Sequence, residues 1–238
     1  MEGRPMSTAI PVTQQLGDLV TADPRRARVL ESFGLDYCCG GARTLGEACA
    51  AAELDAELVA SALNLPDPEP APEWQSLDVG ALAAHIIEVH HRYLWREMGP
   101  LGTLLDKVHR VHGTRHHELA RVAEAYRLAM ADLEPHLFKE ERIIFPRLQR
   151  LDALAPGDRG PLATALRSPI TQMLREHDYV GELFTELHGL TDGFRTPADG
   201  CQSYQQVMQR LARMERDLHE HVHKENNVLF PRVLAYAE

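Results

Sequence analysis

The chain has 238 residues, of which 44% are hydrophobic and 25% are charged, with a formal net charge of −10 at pH 7. This length can bury the core of one large domain, or of a medium domain with a small one attached. The acidic balance argues against nucleic acid or an anionic membrane as a partner, because both reward clustered Lys and Arg. No run approaches the roughly 18 apolar residues of a membrane span, and no signal peptide is evident, so we expect a cytoplasmic protein.

By composition the chain divides into four segments: a disordered extension at residues 1–15, a small helical module at 16–64, a proline-rich linker at 65–75 and a bundle at 76–238. The linker stands out because proline removes backbone donors and favours an extended chain. In the module, Asp23 and Pro24 are predicted to begin a helix that Gly34 ends. Thr44 and Glu47 form a capping box for the next helix.

From Ser76 onward, apolar residues recur at spacings of three and four, which predicts long helices. The helices are expected at about residues 77–105, 118–151, 162–190 and 204–234. Strand signals are nearly absent, since there is no sustained alternation and no Asn-Gly hairpin. We therefore predict an all-α protein, an antiparallel four-helix bundle preceded by a small helical domain.

One pattern occurs twice, as HLFKEERIIFPRL at 136–148 and as HVHKENNVLFPRV at 221–233. Each copy has a His four residues before a Glu, His136/Glu140 and His221/Glu225, which places the two side chains on one helix face a single turn apart. Both pairs fall inside apolar stripes and should be buried. Burying an unpaired carboxylate costs on the order of several kcal/mol. The two Glu therefore need positive charge at the bundle centre, which a pair of cations supplies.

The other two helices should supply ligands at the same depth. On the first, His91 is preferred only weakly by periodicity over His85 and His90. On the third, His177 is the candidate and His188 the alternative. For either helix, a core histidine bonded to a carbonyl is the competing interpretation. Four His and two Glu suit two irons, because each Glu can bridge the metals, whereas zinc favours fewer ligands and often Cys.

The chain resembles the repair-of-iron-centres proteins, also called the hemerythrin-like YtfE/ScdA family. The resemblance rests on motifs in the family's order: DYCCGG, HIIEVHH, HLFKEERIIFP, REHD and HVHKENNVLFP. It implies a hemerythrin-like bundle that holds a non-haem di-iron centre, bridged by carboxylates and an oxo or hydroxo group. The metal ligands that it implies are His91, His136, Glu140, His177, His221 and Glu225.

The third helix departs from the oxygen-carrying hemerythrins, which place two His one turn apart there. This chain has Gly181 four residues after His177. Fewer protein ligands leave positions for water, NO or peroxide and should make iron easier to release. Glu176, next to His177, is predicted either to hold a metal ligand in place or to lie on a solvated face.

The adjacent Cys38 and Cys39 can be two ordinary thiols, a strained vicinal disulfide, or a soft-metal or electron-accepting site, and composition does not choose among these. The resemblance implies a role in redox exchange or iron delivery. It further implies a stress-response protein that repairs iron-sulfur clusters damaged by oxidative or nitrosative chemistry, or supplies iron to them. Damaged iron-sulfur proteins would be its partners, NO or reactive oxygen species its small ligands, and a homodimer is compatible with it. The alternatives are a nitric oxide reductase that forms N2O, and a carrier or sensor of NO or oxygen.

Other residues are predicted to be structural. Pro146 and Pro231 should end or kink their helices just beyond the site. His223 is expected to point outward, and Phe138 and Cys201 to be buried in apolar packing. A group of histidines should flank the turn between the first two bundle helices, with a surface metal as the alternative: His109, His112, His116 and His117.

Overall fold

The computed structural model describes residues 10–66 and 71–237, and over these ranges the chain is helical with no β-strand. The nearest approach to a sheet in this part is an isolated antiparallel bridge between Gln15 and Thr44. The prediction of an all-α protein is confirmed. None of the helices in the described ranges is long and apolar enough to cross a membrane.

Within residues 10–66 the N-terminal module contains four short helices, α1 (Leu16–Ala22), α2 (Arg26–Ser32), α3 (Leu45–Ala51) and α4 (Ala56–Leu63). The capping box forms as predicted, because the Thr44 hydroxyl accepts from the Glu47 N–H and the Glu47 carboxylate accepts from the Thr44 N–H. Gly34 follows α2 with a φ of +68°, a conformation that strongly favours glycine. Helix α2 begins at Arg26, two residues later than predicted. The Asp23 carboxylate accepts from the Arg25 N–H, which lies before the helix.

The module begins earlier than the sequence suggested. Residues 1–9 of the predicted disordered extension lie outside the described ranges, but residues 10–15 pack on the module. The Ile10 side chain is buried in its core, and the carbonyls of Val12 and Gln14 accept from the N–H groups of Gly46 and Leu45. Backbone pairing with the start of α3 therefore orders this segment, which its composition alone does not indicate.

The predicted linker is also partly built into the fold. Residues 67–70 lie outside the described ranges, while Glu73–Ser76 form a 3-10 turn. The Trp74 ring of this turn lies 5.5 Å from the Lys224 ammonium nitrogen, and the Arg232 guanidinium donates to the Gln75 carbonyl. The end of the linker is therefore attached to the bundle.

Four long helices in antiparallel order make up the bundle within the described ranges. The first runs through α5 (Val79–Ile86) and α6 (Arg92–His112), the second through α7 (Glu118–Lys139) and α8 (Phe145–Ala153), the third is α9 (Gly160–Leu190), and the fourth runs through α10 (Gln202–Lys224) and α11 (Phe230–Ala235). A 3-10 turn at Pro156–Asp158 joins the second helix to the third.

Three of the four bundle helices widen into one π-helical turn, at Ile87–His91, Glu140–Ile144 and Glu225–Leu229. Each turn closes with a hydrogen bond that spans five residues, as from the Phe145 N–H to the Glu140 carbonyl and from the Phe230 N–H to the Glu225 carbonyl. Such π turns are rare in proteins, and those that do occur are frequently found at functional sites. Each of them contains or directly follows a predicted metal ligand.

The π turns also change the role of the two prolines. Pro146 and Pro231 lie in the first turn of α8 and α11, directly after a π turn, where a missing backbone N–H is tolerated. The helices do not end at these prolines, since both continue beyond them.

The predicted ligands lie between two apolar layers of the bundle. On one side the core contains Leu94, Leu133, Phe184 and Leu218. On the other side it contains Ile86, Phe145, Met173 and Phe230. The polar layer between them is therefore shielded from water above and below, which raises the free energy of any charge left uncompensated there.

Three predictions about single side chains were wrong. Phe138 is 56% exposed, because it lies on the outer face of α7 beneath the Arg142 guanidinium. Cys201 is exposed at the start of α10, where its sulfur lies 3.1 Å from His112 Nε2. His223 is buried, because the N-terminal module covers that face and the Tyr37 ring packs against its imidazole.

The four histidines near the turn between α6 and α7 lie where they were predicted. His112 contacts Cys201, and His116 bonds the carboxylates of Asp199 and Glu118. Among the described residues, the groups of side chains that could hold a metal include none of these histidines. The structure therefore favours the structural interpretation of this cluster.

Candidate metal centre

The bundle brings all six predicted ligand side chains together, and all four helices contribute. Each is buried, with at most 4% of its surface exposed: His91, His136, Glu140, His177, His221 and Glu225. Each His-x-x-x-Glu pair spans the end of an α-helix and the first residue of a π turn, so its imidazole and carboxylate point to the same depth.

These side chains form two groups whose ligand atoms lie within 4.8 Å of one another. One group is His91, His221, Glu140 and Glu225, and the other is His136, His177, Glu140 and Glu225. Both glutamates belong to both groups. Each group could hold a metal ion, with its own pair of imidazoles and with the two carboxylates common to both groups.

The imidazole nitrogens are spaced for coordination. His91 Nε2 lies 3.1 Å from His221 Nε2, and His136 Nε2 lies 3.0 Å from His177 Nε2. Two nitrogens at about 2.0–2.1 Å from one ion, at nearly a right angle, would lie about 3 Å apart. Each pair is thus arranged around a common point, as ligands of one metal ion are.

The carboxylates supply an independent test of whether the residues fit a metal. Among the described residues, both oxygens of Glu140 and Oε2 of Glu225 are buried without a hydrogen-bond partner. A buried carboxylate oxygen without a partner is strongly destabilising, so these atoms call for cations. Together with four imidazole nitrogens, they form a donor set that suits iron and related divalent metals, so the residues fit.

The protein alone balances this charge in part with protons. Burial raises the pKa of Glu225, but the adjacent His221 and His177 outweigh it and hold that pKa well below its usual range. Burial lowers the pKa of His136, but Glu140 and Glu176 outweigh it and raise that pKa to about 10. A metal ion must displace the proton of His136 in order to bind there.

Hydrogen-bond acceptors at the Nδ1 atoms set the orientation of three of the four imidazoles. His91 Nδ1 lies 3.1 Å from Glu141 Oε1, which also accepts from the Trp95 indole N–H at 2.8 Å. His136 Nδ1 lies 2.8 Å from Glu176 Oε2. An acceptor on Nδ1 favours the tautomer whose Nε2 lone pair is free for a metal. Glu176 thus lies where one of its two predicted roles requires it.

The third such acceptor is Asn226, whose Oδ1 lies 2.7 Å from His177 Nδ1. We did not predict Glu141 or Asn226 from the sequence. A signal was available, because each directly follows a candidate bridging glutamate, Glu140 or Glu225, in its copy of the repeat.

The alternatives to His91 and His177 lie elsewhere. His90 is buried, but it bonds Asp217 Oδ1 at 3.0 Å and the Lys224 ammonium at 2.7 Å, away from both groups. His85 also lies outside both groups, and His188 is an exposed partner of Glu215. Tertiary packing therefore selects one histidine from each helix.

The vicinal cysteines lie close to one metal position. Cys38 and Cys39 are free thiols with their sulfurs 4.0 Å apart, and they line a narrow cavity of about 20 Å³ together with His177 and Gly181. The Cys39 thiol and burial raise the pKa of Cys38. With Asp36, the two cysteines form a further group in which ligand atoms lie within 4.8 Å.

Comparison with known proteins agrees with this geometry. Residues 12–67 match the ScdA_N family, described as a domain of unknown function (DUF542), and residues 82–233 match the hemerythrin HHE cation binding domain. The iron-sulfur cluster repair protein YtfE of Musicola paradisiaca (strain Ech703) is 32% identical over 93% of this chain and 96% of its own. The corresponding proteins of Enterobacter sp. (strain 638) and Escherichia coli O17:K52:H18 are 32% and 30% identical over 93% of this chain and 97% of their own. With this coverage by relatives and a metal-binding bundle, the chain belongs to the family of the YtfE iron-sulfur cluster repair proteins.

Proposed function

We propose that this chain holds two iron ions at the centre of its bundle and repairs damaged iron-sulfur clusters, or supplies iron to them. The observation that carries the proposal is the sharing of Glu140 and Glu225 by two pairs of buried histidines. A single ion would not require two such pairs. The relatives are named as iron-sulfur cluster repair proteins, which supports the same role here.

Iron is the metal that the donor set favours. The six residues offer imidazole and carboxylate donors without thiolate, whereas structural zinc sites commonly use Cys. When bound, an iron pair would supply exchangeable, redox-active metal inside the bundle. The protein contributes the bridging carboxylates, the orientation of the imidazoles and the apolar layers that exclude water.

Release of iron is supported by the small number of ligands at each position. Two imidazoles and two shared carboxylates fall short of the six donors that a hard octahedral ion takes. The remaining positions could accept NO or an oxygen species. The cavity between His177 and the vicinal cysteines gives one of the two metals a short path towards the thiols. We propose damaged iron-sulfur proteins as the partners, and a homodimer as one form of the protein.

The metal count is tested first, by measuring iron content and Mössbauer spectra of the wild type and of a Glu140→Ala, Glu225→Ala double variant. We expect two irons per chain in the wild type and none in the variant. A matched control replaces two exposed glutamates of the bundle, Glu134→Ala and Glu182→Ala, and should keep both irons. One metal in the wild type, or two irons in the double variant, would contradict the proposal.

The repair role is tested by reactivation of an aconitase-type cluster damaged with peroxide. Iron-loaded wild type should restore activity, whereas the double variant and a Cys38→Ser, Cys39→Ser variant should not. The diferrous protein is also mixed with NO and the gas phase analysed. Catalytic formation of N2O without any cluster repair would replace this function with that of a nitric oxide reductase.

A further inference from the structure

The two copies of the repeat differ where the N-terminal module docks. After its bridging glutamate the first copy continues with Glu141 and Arg142, whereas the second continues with Asn226 and Asn227. In the described part of the chain the second copy faces the module, and both of its asparagines bond the backbone of the cysteine turn. Two of the differences between the copies, Asn226 and Asn227, therefore lie at a contact between the two parts of the chain.

Asn227 anchors the module. Its Nδ2 donates to the carbonyls of Tyr37 and Cys38 at 3.2 and 3.0 Å. A Cβ atom at Gly17 or Gly41 would lie only 2.5 or 2.1 Å from Asn227 Oδ1, so these glycines make room for the amide. The Cys38 carbonyl is thereby held in one place relative to the fourth bundle helix.

Asn226 connects the same carbonyl to the metal centre. Its Nδ2 donates to the Cys38 carbonyl at 3.3 Å, and its Oδ1 accepts from His177 Nδ1 at 2.7 Å. A carbonyl can only accept, so it must face the NH₂ group of the amide. The amide oxygen is left for His177, which then carries its proton on Nδ1 and directs a free Nε2 at the metal position shared with His136.

We propose that Asn226 is a positioning residue through which the Cys38 carbonyl fixes the tautomer of His177, so that the cysteine turn controls how firmly the metal at the His136/His177 position is held. This rests on the proposed function, in which that metal is iron. Without the carbonyl, the amide can turn and present its NH₂ group to Nδ1. The histidine then carries its proton on Nε2 and cannot bind a metal.

The redox state of the two thiols affects His177 through the same hydrogen bonds, from the Cys38 carbonyl by way of Asn226. The Cys38 carbonyl belongs to the peptide that joins the two cysteines, and the sulfurs, now 4.0 Å apart, must approach to about 2.05 Å to form a disulfide. Closing this small ring turns the peptide and withdraws the carbonyl from Asn226. Both thiols lose their protons and two electrons pass to the oxidant, for example an azo compound such as diamide, which becomes the hydrazine. Oxidation of the pair is thus a signal that loosens one metal and spares the other.

The test follows the release of iron from the loaded full-length protein to a chelator in excess. Wild type is compared with Asn226→Ala, Asn226→Asp and the control Arg142→Ala, which alters the exposed residue that corresponds to Asn227 in the first copy. In Asn226→Ala, half of the iron should leave about tenfold faster or more, as expected when a partner of a ligating histidine is lost. The Arg142→Ala protein should behave as wild type.

Asn226→Asp separates the two contacts, because a carboxylate still accepts from His177 but cannot donate to Cys38. It should hold both irons as wild type does. Diamide should speed the loss of half of the iron from wild type but should not change iron release from Asn226→Asp. It should also not change release from the Cys38→Ser, Cys39→Ser variant, which has no thiol pair to oxidise and so controls for direct oxidation of iron by diamide. Wild-type release from Asn226→Ala, or equal acceleration of both irons, overturns the coupling, whereas a wild type that never binds two irons overturns the proposed function instead.

Discussion

Gly181 and Cys39 meet at the surface between the bundle and the module: a Cβ atom at position 181 would lie 3.6 Å from the Cys39 sulfur. This is an ordinary van der Waals distance, so a methyl group fits there and a larger side chain does not. The position that carries a second histidine in oxygen-carrying hemerythrins is thus occupied, in space, by the vicinal cysteine turn.

The effect of a substitution at Gly181 should therefore depend on the size of the new side chain. Gly181→Ala should raise the free energy of unfolding by about 0.5–1 kcal/mol, because alanine is the better helix former. Gly181→His should displace the turn and expose Cys39. Urea unfolding and the rate of thiol labelling measure the two effects. Slow, wild-type labelling of Cys39 in the histidine variant would show that the turn has another way to fit.

The adjacent histidines of the first bundle helix should separate metal binding from stability. His91→Ala should abolish binding of at least one iron. His90→Ala should keep the full iron content but lower the free energy of unfolding by about 1–3 kcal/mol, since it leaves the half-buried Asp217 and the buried Lys224 without their shared partner. Metal analysis and denaturant unfolding of both variants check this. Loss of iron from the His90→Ala variant would contradict the assignment of His91, and not His90, as the metal ligand of this helix.

Asp217 should make stability depend on pH. Burial raises the pKa of its carboxyl to about 6. The folded state therefore binds this proton more tightly than the unfolded state, and the contribution of Asp217 to stability falls as pH rises from about 4 to 6. Asp217→Asn should remove that contribution. The difference in unfolding free energy between wild type and variant, measured from pH 4 to 7, should follow this fall; a constant difference contradicts it.

The close packing around the Asn227 side chain predicts that alanine in place of a helical glycine will be destabilising. Gly17 lies within α1, where alanine would ordinarily stabilise, but its Cβ would overlap the Asn227 amide. Gly17→Ala should loosen the module and increase cleavage of the chain between module and bundle by a protease. Gly189→Ala, in α9 with open space around it, is the control and should resist cleavage as wild type does.

Much of the fold was predictable because the information is local. Helix periodicity, the Thr44 capping box and Gly34 act within a few residues and appear directly in the sequence. The helix does not end at Pro146, because the preceding π turn places the proline in the first turn of the next helical segment, which the sequence pattern did not reveal. His223 was misplaced because the module that buries it is about 190 residues away along the chain.

The sequence by itself determined the fold class and the residue types of the candidate site: an all-α chain in which two His-x-x-x-Glu pairs suit a metal, with a vicinal cysteine turn ahead of them. Tertiary structure alone decided which histidines of the first and third helices converge, that both glutamates are shared, and that Asn226 joins the Cys38 carbonyl to His177. The reason is physical. Residue types and helical spacing follow from local sequence, whereas packing between helices sets which side chains meet, to within the few tenths of an ångström that coordination and hydrogen bonding demand.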